Sequence, residues 1–208
     1  MKEDVFINIG AIRLGGLLTI PKKSRSIVIF THGSGSGRYS ERNNFVANKL
    51  NEEGIATLLF DLLTEEEDEI YENRFDIPLL TKRLLAVTEW VAGNRQSKKL
   101  KTGFFGASTG AAAALEAAAE LGEKIKAVVS RGGRPDMAMD SLGKVKSPTL
   151  LIVGGNDDVV IELNQKAYDT LACEKKLEIV PGATHLFEEP GCMEQVAGLA
   201  VKWFVKHL

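Results

Sequence analysis

Short apolar runs alternate with amphipathic stretches along almost the whole chain. Residues 5–9 and 12–20 flank Gly10-Ala11 and end at Pro21, which predicts a β-hairpin. Beyond it, the runs at 27–31, 55–60, 102–107, 125–130, 149–153 and 177–180 are nearly all apolar, as strands buried on both faces of a parallel sheet must be. Between them, 45–53, 79–92, 111–121, 162–171 and 194–207 carry apolar residues at helical spacing. The alternation predicts an α/β fold: a mostly parallel eight-stranded sheet opened by an antiparallel hairpin, with helices on both faces. Residues 62–73, which include Glu65-Glu66-Glu67-Asp68-Glu69, lack a core pattern and are expected to form a mobile acidic loop. Residues 135–146 are too few for a separate cap domain, so the mouth of any site is expected to be open.

Composition narrows the classes. A chain of 208 residues with 44% hydrophobic residues can build one full core, so residues 1–208 are expected to be a single domain. A net charge of -2 with no basic stripe argues against a nucleic-acid partner. No apolar run is long enough to span a membrane. The acidic start Met1-Lys2-Glu3-Asp4 is unlike a secretory signal, and a cytoplasmic location is expected. Cys173 and Cys192 have no C-x-x-C spacing and read as ordinary reduced thiols. His32, His185 and His207 lack paired ligand spacing and both thiols are isolated, so no metal is expected.

The candidate chemistry starts at Gly106-Ala107-Ser108-Thr109-Gly110, which follows a predicted strand and precedes an alanine-rich helix. At such a G-x-S-x-G turn the serine sits on a strained corner with its hydroxyl outward, and the glycines make room for strand and helix. A serine needs an imidazole as base and a carboxylate to orient that imidazole. His185 lies in the turn-rich Pro181-Gly182-Ala183-Thr184-His185-Leu186-Phe187. Asp157 and its neighbour Asp158 follow the strand at 149–153, and spacing alone leaves both open as the carboxylate. Backbone amides for an oxyanion hole are expected from Thr109 and from Ser34, the latter within Thr31-His32-Gly33-Ser34-Gly35-Ser36-Gly37-Arg38. Gly33 and Gly35 would let the backbone approach a substrate, and Arg38 and Arg131 could bind an acidic one. Gly33-x-Gly35 also resembles a dinucleotide-binding turn, but Arg38 stands where that pattern needs its third glycine.

His32-Gly33 after the third strand, the elbow at Ser108, Gly154-x-x-Asp157 and His185 together resemble the α/β-hydrolase fold, and within it the small dienelactone-hydrolase-like enzymes. The resemblance covers nearly the whole chain. It implies a cofactor-free hydrolase with the triad Ser108, Asp157 and His185, which favours Asp157 over Asp158. Dienelactone hydrolases proper carry a cysteine nucleophile, whereas position 108 is serine. A small ester or thioester is therefore implied, with dienelactone itself in doubt. Transfer of the acyl group to an acceptor other than water, and a non-catalytic binding role on the same fold, are the alternatives.

Overall fold

The period of two along a strand sends successive side chains to opposite faces, and here both faces are covered. A computed structural model describes residues 2–208. Its strands are β1 (Lys2–Ile9), β2 (Ile12–Thr19), β3 (Ser26–Thr31), β4 (Ala56–Phe60), β5 (Lys101–Ala107), β6 (Ile125–Arg131), β7 (Thr149–Gly154) and β8 (Lys175–Val180). They form one sheet in the order β1-β2-β4-β3-β5-β6-β7-β8. β1 pairs antiparallel with β2, and β2 antiparallel with β4; every other pair is parallel. This is the architecture expected from the alternation of runs.

The helices are α1 (Glu41–Glu52), α2 (Glu65–Asp68), α3 (Ile77–Gly93), α4 (Thr109–Leu121), α5 (Met139–Leu142), α6 (Asp158–Thr170) and α7 (Cys192–His207). Ile27 and Ile29 of β3 face a cluster shared with Leu80, Leu84 and Val87 of α3 and the alanines of α4. Val28 and Phe30 face the opposite cluster, built from Val46 and Leu50 of α1 and Val196, Ala200 and Phe204 of α7. α4 is apolar around most of its surface and is buried accordingly, its alanines allowing the close approach that bulkier residues would block. Cys173 and Cys192 are free thiols. No helix among the described residues is long and apolar enough to cross a membrane.

The acidic stretch departs from expectation. It forms not a loop throughout but α2 and then a short 3-10 turn at Tyr71–Phe75. Thr64 and Glu67 form a reciprocal capping box at its start. Glu67 pairs with Arg83 of α3, and Asp68 with Arg74 at 2.8 Å, while Leu62 and Leu63 just before it are buried. A run of like charge hid a cap and two ion pairs that fix the backbone without an apolar stripe.

Candidate active site

The carboxyl ends of the parallel strands gather at one rim, where open α/β sheets place their ligands. At the end of β5 the chain turns through Ser108, whose φ of 50° and ψ of -122° are rarely adopted by a residue with a side chain. Steric room explains the flanking glycines: a methyl at Gly106 would overlap the backbone of Ala111, and one at Gly110 the carbonyl oxygens of Thr31 and His32. Hydrogen bonds hold the corner. Ser108 N–H donates to the Arg131 carbonyl at 3.3 Å, and the Ser108 carbonyl accepts from the amides of Ala111 at 3.0 Å and Arg134 at 3.1 Å.

The loops after β7 and β8 are fastened to each other. Asn156 donates from its backbone to the Ala183 carbonyl at 2.9 Å and from its side chain to the Gly182 carbonyl at 3.0 Å. Phe187, buried at φ 58°, anchors the far end of the β8 loop in the core. The result is that His185 Nδ1 donates to Asp157 Oδ2 at 2.7 Å. Asp158 instead begins α6. With Nδ1–H committed to the carboxylate, Nε2 is left as the lone-pair nitrogen. Ser108 and His185 line one cavity of about 160 Å³. A Ser108 Oγ–Nε2 hydrogen bond is not formed among the described residues, and such bonds commonly close only once substrate is bound.

The loop after β3 lies directly against the elbow. A methyl at Gly33 would stand 3.0 Å from Ser108 Cβ, a tight contact that glycine avoids. Ser34 lines the Ser108 cavity, and Thr109 opens α4 next to the serine, at the positive end of the helix dipole. His32 braces the loop from behind. Its Nδ1–H donates to the Gly33 carbonyl at 2.9 Å and its Nε2 accepts the Leu62 amide at 3.0 Å, an arrangement that requires the neutral ring. Burial pushes its pKa below the ordinary value, outweighing Asp61 and Asp68.

Not every residue singled out from the sequence reaches this cavity. Arg38 pairs with Asp61 and lines a separate cleft of about 620 Å³ together with Phe6, Arg13 and Tyr39. Gly35, at φ 67°, lies beside Arg74 under the α2 segment. Arg131 does reach it, as do Arg42 and Asn43, which the sequence reading missed. A signal for those two existed: Ser40 is a helix-capping residue directly after the glycine-rich loop, so the first turn of its helix must lie at the same rim.

The family model for the dienelactone hydrolase family matches residues 14–201, and the chain belongs to that family. A solved dienelactone hydrolase from Anabaena variabilis is 52% identical, with a TM-score of 0.97 over 100% of this chain and 98% of that one. Est1E from Butyrivibrio proteoclasticus shares the fold at 19% identity and a TM-score of 0.84, covering 98% of both chains. A serine hydrolase without a lid from Xanthomonas campestris does so at 21% and 0.81, covering 99% of this chain and 94% of that one. Two curated relatives from Mycobacterium tuberculosis strains are 57% identical over 206 residues and are named, provisionally, as phosphoribosyl transferases. The match takes in 99% of this chain but 46% of theirs, so the chain spans about half their length.

Proposed function

We propose that this hydrolase-family protein cleaves a small carboxylic ester or thioester through an acyl-serine. The reading is carried by one observation: an imidazole oriented by a carboxylate, His185 on Asp157 at 2.7 Å, opens onto the cavity of a serine held at an elbow. His185 Nε2 takes the hydroxyl proton as Ser108 Oγ attacks the carbonyl carbon, and Asp157 stabilises the imidazolium. The amides of Ser34 and Thr109 receive the negative charge on the carbonyl oxygen, an interaction typically worth about 2.7–4 kcal/mol of barrier per donor. The imidazolium protonates the departing alkoxide or thiolate, and water, deprotonated by the same nitrogen, then releases the acid. A cavity of about 160 Å³ suits a short acyl group better than a long chain.

The transferase name of the mycobacterial relatives belongs to proteins about twice as long. On this reading the matched half is the hydrolase, and the transferase name carries no assignment for it. A fluorophosphonate probe tests the nucleophile: the native protein should be labelled at Ser108, and S108A should not. Equal labelling of the two would remove Ser108 from this role.

A further inference from the structure

Arg131 is the anomaly of the cavity. It stands at the end of β6, 6% exposed, with Nε buried and unpartnered. Among the described residues its one side-chain hydrogen bond is a long one, Nη2 to Asn43 Oδ1 at 3.4 Å, and its guanidinium lies over the face of Phe187, with the ring centroid 5.7 Å away. Other arginines near this rim have a carboxylate: Arg38 has Asp61, Arg74 has Asp68, Arg134 has Asp136 and Arg42 has Glu188. A buried charge without a counter-charge is expensive to keep. Burial pushes the Arg131 pKa down to about 10, with the positive charge of Arg42 adding to the effect, so the guanidinium stays protonated at neutral pH. Among the described residues no carboxylate lines the cavity it faces, although Glu188 pairs with Arg42, which does line it.

The other donors around that cavity come from different directions. Ser34 and Ser36 stand on the loop after β3, while Ser40 caps α1 and Arg42 and Asn43 sit in its first turn. Asn43 spends its oxygen on Arg131, which leaves its NH₂ group for donation. A carboxylate, with two oxygens in one plane, is satisfied by a single guanidinium fork. Arg131, the Arg42 nitrogens that Glu188 leaves free, hydroxyls and a helix N-terminus arranged around one space match a tetrahedral group whose three terminal oxygens share up to two negative charges.

We propose that this cavity recognises a phosphate monoester carried by the substrate, held by Arg131 from beneath and by Arg42 and the start of α1 from the side. The proposal rests on the reading of Ser108 as nucleophile, because the same cavity then holds the scissile carbonyl and the phosphate as parts of one small molecule. The phosphate is recognised and left intact.

Isothermal titration with inorganic phosphate, and separately with acetate, tests this on the native protein, S108A, R131M and R42M. Phosphate should bind the native protein and S108A equally, bind each arginine variant at least tenfold more weakly, and bind better than acetate. Arg42, being partly exposed, can be replaced without burying a new gap, so R42M remains informative if R131M does not fold. Phosphate binding that R42M leaves unchanged, or acetate binding as tight as phosphate, would overturn the proposal. The measurement needs no turnover. A native protein that takes no fluorophosphonate label, or an S108A that labels equally, with phosphate binding retained, therefore sinks the hydrolase reading and supports the anion site; labelling confined to Ser108 with no phosphate binding sinks only the site.

Discussion

Asp157 contributes through its contact with His185 alone, so removing its charge isolates that contact. D157N retains the shape but favours the imidazole tautomer with its proton on the wrong nitrogen. It should lower kcat by about 10⁴, in line with such a change in a serine triad. Steady-state kinetics on a p-nitrophenyl ester would measure it, and a loss below tenfold would deny Asp157 this part. His32 makes a prediction about pH. Its folded pKa lies below the ordinary value of 6.5, so below that pH the unfolded chain takes up a proton that the fold refuses. Stability is therefore full above 6.5 and drains away as the pH falls towards the folded pKa. Thermal melts at about pH 7.5 and about pH 5.5 should show a larger fall for the native protein than for H32Q, which has no group to titrate there. Equal falls would place the acid sensitivity elsewhere.

Elements show what could be read from the sequence and what could not. The strand runs lie within a few residues of the observed strands, because a buried parallel strand must be apolar throughout. Helix starts were read late. α1 begins at Glu41 instead of 45, α3 at Ile77 instead of 79, and α6 at Asp158 instead of 162. In α1 and α3 the first turn is set by the capping side chains of Ser40 and Asp76, which a search for apolar periodicity passes over. Capping also made α2 look like a loop. That Ser108, Asp157 and His185 each follow a different strand was legible, because those strands are apolar runs with clear ends. The Arg131–Asn43 contact was not, since it joins positions 88 apart through side-chain directions that periodicity does not encode. For α2, T64A should cost about 0.5–2 kcal/mol by loss of the cap. Hydrogen exchange should quicken across residues 64–76 while β3 and β5 stay protected; uniform acceleration would mean that the segment is not a local unit.

Across the whole molecule, the pieces of the site are far apart in the chain and meet only because the sheet is complete. Ser108 follows the central strand β5, whereas Asp157 and His185 follow β7 and β8 towards one edge. Thr31 Oγ1 ties the loop after β3 to the elbow by donating to the Gly110 carbonyl at 2.8 Å. Global unfolding energy is therefore a readout of the site as well as of the core. The backbone of Ser108 makes this concrete, since a side chain at φ 50° costs on the order of 1–3 kcal/mol that glycine would avoid. Glycine's extra freedom in the unfolded chain returns part of that gain. Both S108A and S108G lack the hydroxyl, so any difference between them in a thermal melt isolates the corner itself, and S108G should melt higher. The protein would then be tougher with the Ser108 hydroxyl deleted than with it present, and, if Ser108 is the nucleophile proposed above, heat selection on random variants should recover inactive proteins at position 108.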